Sequence, residues 1–334
     1  MIKVIKESSW SLNNIQLESR KKFIEWINST NKLNYIQECP FCGGIEFKQL
    51  SDVDRFGLNF EANQCQNCNL VFTNPQIKEE FLPEYYNVFY HPLIFGTEQV
   101  LNFLFDSNQG QKIYSLISKY IKKNSLDVFE IGAGSAGNLI GFQEIALNNN
   151  IKCNLEGLEL SERYIEYAKT LNITLYSDQL KDYIEKVNKT YDVIILSHVL
   201  EHVNNLNNFL QDVKKLMHPK TLLYIEVPGI LNLHNNNAYK CNFKNYLVHA
   251  HMYHFTAETL EKVLLANGLF PLQINEGVEA VVQLNSGENV LPKCSSNIEK
   301  YLYNLERNKK ICLVKNFAIT IFARILKKAQ KIIK

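Results

Sequence analysis

The chain has 334 residues, of which 46% are apolar and 21% charged, and its formal net charge is +2. This composition is ordinary for a globular protein, and the overall charge does not indicate a nucleic-acid partner. The sequence contains no apolar run of the roughly 18–20 residues that a membrane span needs, and no apolar signal region follows the amino terminus, so we expect a cytoplasmic protein.

The first segment, residues 1–36, is predicted to be helical because apolar residues between 12 and 32 partly follow a helical period. A second segment, residues 37–75, is rich in Cys, Gly and aromatic residues. A connector follows at 76–124, where Pro83 and Pro92 argue against a single regular element. Residues 98–123 within it are predicted to be helical.

The second segment contains two matched cysteine pairs, Cys39-Pro40-Phe41-Cys42 and Cys65-Gln66-Asn67-Cys68, separated by 22 residues. Each pair places two thiolates on one tight turn, and two such turns complete a tetrahedral site of four sulfurs. We therefore predict a zinc ribbon over 37–75 with Cys39, Cys42, Cys65 and Cys68 as ligands of a structural Zn²⁺. A redox pair is the alternative. The other cysteines are interpreted as buried or free thiols: Cys153, Cys241, Cys294 and Cys312.

From residue 125 to 290, short apolar runs alternate with amphipathic stretches. The runs Leu126–Ile131, Asn154–Leu160, Tyr191–Leu196 and Thr221–Val227 predict strands, with helices at about 137–148, 161–171, 178–188 and 203–217 between them. Alternation of this kind is typical of a parallel sheet that is covered on both faces. The predicted fold is α/β, with a doubly wound Rossmann-like sheet, the small N-terminal zinc ribbon and a C-terminal helical tail.

The first of these strands runs into Gly132-Ala133-Gly134-Ser135-Ala136-Gly137, and a predicted helix follows. Glycines let the backbone turn sharply and approach a ligand, and the helix amino terminus offers unpaired N–H groups. The spacing alone would fit a dinucleotide as well. Glu130, two residues before the first glycine, favours a cationic ligand over a pyrophosphate. The alternative for Glu130 is a cap or a surface charge. Glu159 ends the next strand, where a carboxylate can accept from both ribose hydroxyls.

These segments resemble the class I S-adenosylmethionine-dependent methyltransferases. The family's first motif corresponds to Val128–Gly134, its ribose acid to Glu159, and its fourth-strand segment to Tyr191–Val203. The resemblance covers about residues 125–275 and implies S-adenosylmethionine as the cofactor. It also implies that Asp178 accepts from the adenine amino group, with a helix N-cap as the alternative role. The expected cofactor contacts are Glu130, Gly132, Ala133, Gly134, Glu159, Leu160, Asp178, Ser197 and His198.

A narrower resemblance includes the zinc ribbon and His251-Met252-Tyr253-His254-Phe255-Thr256. It is similar to bacterial methyltransferases that act on nucleotide-linked sugars or surface glycans, including sugar C-methyltransferases. Some of those carry Glu-His where this chain has Ala250-His251, and they have a larger carboxy-terminal domain. An O- or N-methyl transfer is therefore expected at least as readily as a C-methyl transfer, with a small-molecule or glycan acceptor in polysaccharide biosynthesis.

Histidine suits the removal of a proton from a hydroxyl acceptor, because its ordinary pKa is near neutrality. We predict His251 as the general base, with His254 as the second candidate, and His202 as mainly structural. The alternatives are core or surface histidines, or a metal bound by His249, His251 and His254. No carboxylate partner stands at local spacing. Thr256 is the predicted N-cap of a helix over Ala257–Asn267, without a capping box because Thr259 occupies the Glu or Gln position.

The tail, residues 291–334, is basic, with eleven Lys or Arg against two Glu from Lys293 onward. Its apolar residues recur at helical spacing, so it is predicted to pack on the core or to contact the inner face of an anionic membrane. An rRNA or tRNA methyltransferase is a rival interpretation, but residues 37–75 carry only Lys48 and Arg55 as cations, which makes a poor phosphate-binding surface. A non-catalytic binding module is a second rival. The sequence does not indicate the oligomeric state.

Overall fold

The computed structural model describes residues 1–97, 107–284, 291–292 and 295–316. Its α-helices are, in chain order, Asn14–Ser29 (α1), Leu82–Tyr85 (α2), His91–Phe95 (α3), Asn108–Ile117 (α4), Gly137–Asn148 (α5), Glu162–Thr170 (α6), Leu180–Lys186 (α7), Leu206–Lys215 (α8), Phe243–Tyr246 (α9), Ala257–Ala266 (α10) and Ile298–Arg307 (α11). Its strands are Leu33–Asn34 (β1), Phe47–Ser51 (β2), Glu61–Cys65 (β3), Val71–Asn74 (β4), Gln76–Ile77 (β5), Ser125–Ile131 (β6), Lys152–Leu158 (β7), Thr174–Tyr176 (β8), Tyr191–Ser197 (β9), Met217–Glu226 (β10), Tyr253–His254 (β11), Leu269–Ile274 (β12) and Glu279–Leu284 (β13).

Seven strands form the central sheet, in the order β12-β13-β10-β9-β6-β7-β8. The strands from β8 to β10 are parallel, and β13 and β12 extend the sheet with antiparallel pairing. Successive residues of a strand face opposite sides of a sheet. Accordingly, Val193 and Ile195 join the apolar cluster that includes α4, α5 and α6. Ile194 and Leu196 join the cluster that includes α7, α8 and α10. The predicted doubly wound α/β fold is confirmed.

The order of the strands reverses at β6, since β7 lies on one side of it and β9 on the other. Ligands of open parallel sheets bind at such a switch point, outside the carboxyl ends of the strands. Ile131 ends β6, Leu158 ends β7 and Ser197 ends β9. The glycine loop, Glu159 and His198 follow these three strand ends directly, so the fold brings the predicted cofactor residues to one edge.

A second sheet, antiparallel and four-stranded, contains both cysteine pairs at its margins and has the order β11-β4-β3-β2. Three of its strands belong to the predicted ribbon. The fourth, β11, comes from the histidine segment nearly 180 residues later, and Tyr253 pairs with Phe72 while His254 pairs with Val71. The ribbon therefore holds the histidine segment through backbone hydrogen bonds.

The connector is a helical run of changing pitch. A 3₁₀ turn at Glu79–Phe81 leads into α2, a π turn at Tyr86–Tyr90 follows, and α3 completes the run. Both prolines occupy the first turn of a short α-helix, where proline's missing N–H has no intrahelical partner to lose. The structure agrees with the prediction that no single regular element spans this segment. A helix was predicted at 98–123. Residues 98–106 of it lie outside the described residues, and most of 107–123 forms α4.

Two local predictions are wrong. Thr256 does form a capping box, because the Thr259 hydroxyl accepts from the Thr256 N–H and the Thr256 hydroxyl accepts from the Thr259 N–H. A hydroxyl thus replaces the longer Glu or Gln side chain. Cys241 and Cys312 form a disulfide across 71 residues, where free thiols were predicted. Cys153 is a free, half-buried thiol as predicted, and Cys294 lies outside the described residues.

Helices α4 and α5 cross at two glycines that leave no room for a side chain. A Cβ at Gly141 would lie 1.8 Å from the Ser107 carbonyl oxygen, and a Cβ at Gly110 would lie 2.0 Å from the Asn138 oxygen. This crossing packs α4 against the helix that follows the glycine loop.

Among the described residues, no helix is both long enough and apolar enough to cross a membrane.

We expect Gly141→Ala to lower the free energy of unfolding by at least about 2 kcal/mol. In an open helix the same exchange would stabilise by up to about 1 kcal/mol, because alanine has the higher helix propensity. Chemical denaturation of the variant and of Asn148→Ala, at an exposed position of α5, measures the difference. Equal or greater stability of Gly141→Ala would contradict the close crossing.

Candidate cofactor and acceptor site

The glycine loop turns in backbone conformations that side chains rarely adopt. Gly132 has φ of +72° and Gly134 has φ of +52°. A Cβ at Gly132 would approach Val199 Cγ2 to 2.8 Å, whereas a Cβ at Gly134 would meet no atom within 4 Å. Gly134 thus leaves open space that a ligand can fill. The N–H groups of Gly132 and Ala133 both donate to the Leu158 carbonyl, which fixes the loop to the end of β7.

Glu130 is a buried carboxylate beneath this loop, with 1% of its surface exposed. Its Oε1 accepts from Asn138 Nδ2 at 2.7 Å, and its Oε2 is buried without a hydrogen-bond partner. Burial raises the pKa of Glu130 to about 8, the Asn138 hydrogen bond opposes this rise, and the charge of Glu159 adds to it. Because a buried carboxylate needs a counter-charge, this group fits a cationic ligand. Together with the open space at Gly134, it fits S-adenosylmethionine.

Glu159 connects the glycine loop to the end of β7. Its Oε2 accepts from the Gly134 N–H and its Oε1 accepts from the Ser161 N–H, both at 2.8 Å. Burial raises its pKa, and these backbone N–H groups oppose the rise. Each carboxylate oxygen can accept a further hydrogen bond, so a ribose could bind while Glu159 holds the loop.

Leu160 and Asp178 line a cavity of about 270 Å³ beside the carboxyl ends of β7 and β8. Tyr86 and Asn87 of the connector close its other side. Asp178 also forms an ion pair with Lys186. The cavity therefore lies where the resemblance expects the adenine, and the connector contributes to it.

Ser197 and His198 stand at the end of β9. The Ser197 hydroxyl donates to Glu226 Oε2 at 3.2 Å, and His198 has φ of +57° with 56% of its side chain exposed. His198 Nδ1 lies 3.3 Å from Glu201 Oε1. Neither of these carboxylates, Glu201 and Glu226, was among the predicted site residues. Glu201 could have been noticed in the sequence. It is the one acidic residue in Val199–Val203, and it stands three residues after His198.

The histidine segment lies against this end of the sheet. Met252 N donates to the Glu201 carbonyl at 2.7 Å, and the His251 ring meets the His202 ring edge-on, with centroids 4.8 Å apart. His251 is half-buried, its Nδ1 has no hydrogen-bond partner, and burial lowers its pKa well below the ordinary value. His254 is fully buried, and its Nε2 lies 3.0 Å from the Thr73 hydroxyl. Burial lowers the pKa of His254 to about 3.

His249 has a structural environment. Its Nδ1 lies 2.7 Å from Asp54 Oδ2, and its Nε2 lies 3.0 Å from the Tyr85 hydroxyl. The ring stacks between Phe23 and Phe60 with centroid distances of 4.7 and 4.9 Å. This residue connects the ribbon, the connector and α1, and it does not join His251 and His254 in one metal group.

The four predicted cysteine ligands lie together. The Sγ atoms of Cys39 and Cys68 are 3.6 Å apart, as are those of Cys42 and Cys65, and all four sulfurs lie within 4.8 Å of one another. A tetrahedral zinc with Zn–S bonds of about 2.3 Å separates its sulfurs by about 3.7–3.8 Å. The arrangement fits a zinc ion, and four sulfurs would leave no position for a substrate.

Residues 103–274, just over half of the chain, match the protein family described as a methyltransferase domain. No curated protein sequence matches the chain. Among solved structures, it is similar to the plantazolicin methyltransferase BpumL in complex with a monoazolic desmethylPZN analog and SAH, at 16% identity over 69% of this chain and 88% of that one, with a TM-score of 0.46. An S-adenosylmethionine-dependent methyltransferase from Clostridium acetobutylicum ATCC 824 is similar at 12% identity over 61% of this chain and 99% of that one, with a TM-score of 0.42.

The similarity to coclaurine N-methyltransferase has 17% identity and a TM-score of 0.30, and this chain spans only 35% of the length of that protein. These distant structural similarities concern the fold alone. The family match covers every strand of the central sheet except β13 and includes the glycine loop, Glu130 and Glu159. The chain therefore belongs to the methyltransferase domain family and is an S-adenosylmethionine-dependent methyltransferase.

Proposed function

We propose that this enzyme methylates a hydroxyl group of a sugar or nucleotide-linked sugar in surface-glycan biosynthesis. The observation that carries the proposal is the pairing of β11 with β4, which holds His251 beside the carboxyl end of β9. The narrower resemblance rests on these two parts, the ribbon and the histidine segment. Their direct contact supports a common role on the acceptor side.

When bound, S-adenosylmethionine supplies a methyl group that its sulfonium already activates. The chain's part is to align the acceptor oxygen and to remove its proton. We propose His251 as the general base, since its ring is neutral and only half-buried. His254 is the second candidate, and we assign it a supporting role because it is fully buried next to Thr73.

Aromatic side chains of the connector border the same region. The Tyr86 hydroxyl lies 3.0 Å from His202 Nδ1, and the Tyr90 ring lies 5.0 Å from that of Tyr86 and 6.1 Å from that of His202. Flat aromatic faces suit the apolar face of a sugar ring, and tyrosine hydroxyls suit its polar edge. This lining supports a sugar acceptor.

Localisation and partners remain proposals that rest on the sequence. We propose a cytoplasmic enzyme without a nucleic-acid partner, in peripheral contact with the membrane through its basic tail. Residues 309–316 of that tail are helical, and residues 317–334 lie outside the described part of the chain.

The proposal is tested by incubating the full-length enzyme with methyl-labelled S-adenosylmethionine and a panel of nucleotide-linked sugars, glycan precursors and RNA. We expect label in a sugar fraction, and we expect His251→Asn to reduce the rate about 10²- to 10⁴-fold with unchanged S-adenosylmethionine affinity. His218→Asn is the matched control, because His218 lies near the amino end of β10, at the opposite edge of the sheet. Label in RNA alone, or a fully active His251→Asn enzyme, would contradict the corresponding part of the proposal.

A further inference from the structure

Besides the four cysteines, a second group of three side chains that can bind a metal lies beside the carboxyl end of β9. One ligand atom each from Glu201, His202 and His251 lies within 4.8 Å of the others. Glu201 and His202 belong to the 3₁₀ turn Leu200–His202 after β9, and His251 precedes β11. The hydrogen bond from the Met252 N–H to the Glu201 carbonyl, at 2.7 Å, locks the two segments together.

Glu201 is a buried carboxylate with one of its two oxygens unpaired. Only 1% of its surface is exposed, and its Oε2 has no hydrogen-bond partner. Its Oε1 lies 3.3 Å from His198 Nδ1 and 3.8 Å from His202 Nε2. An ionised carboxylate in such a place requires a counter-charge. Among the described residues only histidines form an ion pair with it, and the nearer one, His198, is more than half exposed.

His202 can present a lone pair to this carboxylate. Its Nδ1 lies 2.9 Å from the Ala250 carbonyl oxygen and 3.0 Å from the Tyr86 hydroxyl. Because the carbonyl can only accept, we assign the hydrogen to Nδ1, which leaves Nε2 with a lone pair. In that tautomer, a neutral nitrogen and a carboxylate oxygen face each other across 3.8 Å with no proton between them. Metal-binding histidines usually donate the N–H of their other ring nitrogen to a carbonyl or carboxylate, as His202 Nδ1 does here to Ala250.

We propose that Glu201, His202 and His251 bind a divalent cation of the zinc or cobalt type. Zinc bonds of about 2.0–2.1 Å to nitrogen and oxygen separate tetrahedral ligand atoms by about 3.3–3.4 Å. The 3.8 Å pair therefore needs to close by a few tenths of an ångström, and the His251 nitrogen, which lies within 4.8 Å of the other two ligand atoms, by up to about 1.5 Å. Two histidines and one glutamate leave a fourth position for water or an acceptor oxygen, as in catalytic zinc sites.

This inference rests on the proposed function only for the role of the cation in methyl transfer. A cation that binds the acceptor hydroxyl lowers the pKa of that group. The proton then leaves to solvent, the oxygen–methyl bond forms as the sulfur–methyl bond breaks, and sulfur keeps the electron pair. With the cation bound, His251 is a ligand, and the lowered pKa of the hydroxyl replaces the proton removal that we assign to His251 in the metal-free site.

The binding test uses full-length protein whose cysteine site carries zinc. A weak chelator removes any second metal, one retained zinc per chain is verified by mass spectrometry, and Co²⁺ is then added while the visible spectrum is recorded. We expect one further equivalent with cobalt bands of nitrogen and oxygen ligation and without thiolate charge transfer. Glu201→Gln and His251→Gln should lose this equivalent, and His218→Gln should retain it.

Wild-type protein that binds no further Co²⁺, or that shows only thiolate bands, would overturn the site, and this result does not depend on the folding of any variant. Refilling the site with Zn²⁺ should raise methyl incorporation at least about tenfold at unchanged S-adenosylmethionine affinity. Equal incorporation with the site empty would overturn the role of the cation. Second-site binding without methylation of any acceptor would leave the metal site standing and refute the proposed function.

Discussion

Glu130→Gln is expected to weaken S-adenosylmethionine binding by about 30- to 1,000-fold. The exchange keeps the size of the side chain and its contact with Asn138 but removes the charge that faces the cationic ligand. Loss of a charge-assisted contact in a buried site costs about 2–4 kcal/mol, which corresponds to that range. Calorimetric titration measures the change, and Glu144→Gln, on the exposed face of α5, is the matched control.

The same carboxylate gives the binding a pH dependence. In the free protein, burial raises the pKa of Glu130 to about 8, so most molecules carry it protonated at pH 6. The cationic ligand binds the ionised form, and binding must therefore release a proton below pH 8. We expect wild-type affinity to rise with pH by up to about tenfold per unit between 6 and 8 and then to level off.

Glu130→Gln should lose most of this rise. Burial raises the pKa of Glu159 as well, so a residual dependence of the same sign can remain in the variant. Wild-type affinity that stays constant from pH 6 to 8 would contradict the assignment of Glu130 as the counter-charge.

Cys65→Ser is expected to have the second largest effect, on stability and activity together. Structural zinc contributes its binding free energy to folding, and loss of one thiolate should lower the free energy of unfolding by at least about 3 kcal/mol. For a chain of 334 residues, that loss lowers the melting temperature by roughly 4 °C or more. Because β11 pairs with the ribbon strand β4, we also expect the acceptor histidines to lose their position and methyl incorporation to fall.

Thermal unfolding and zinc analysis of the purified variant check this expectation. Cys153→Ser is the control, since Cys153 is a free thiol on β7, away from the four-cysteine site. If Cys65→Ser loses its zinc yet keeps the wild-type melting temperature and activity, the ribbon does not support the acceptor side.

The features that could be predicted from the sequence are those in which neighbouring residues carry the information. Gly132, Gly134 and Glu130 lie within five residues of one another, and the strand and helix around them follow from apolar periodicity. The α/β fold followed from the same periodicity, because strands that alternate with helices have few ways to form a sheet. The two matched cysteine pairs likewise predicted that their four sulfurs lie together.

The features that sequence reasoning missed depend on contacts between distant residues. The pairing of Tyr253 with Phe72 and the Cys241–Cys312 disulfide have no local signature. Glu201 is different, since its spacing from His198 was visible, but its burial was not. Burial gives this carboxylate its importance, and burial depends on how the histidine segment packs over the turn after β9.

The central claim is tested most directly by calorimetric titration of the full-length wild-type protein with S-adenosylmethionine at pH 8, and with NAD⁺ in a parallel experiment. We predict saturable binding of S-adenosylmethionine at one site per chain and no binding of NAD⁺, because the Glu130 carboxylate favours a cation and repels a pyrophosphate. Absence of S-adenosylmethionine binding, or preferential binding of NAD⁺, would contradict the account.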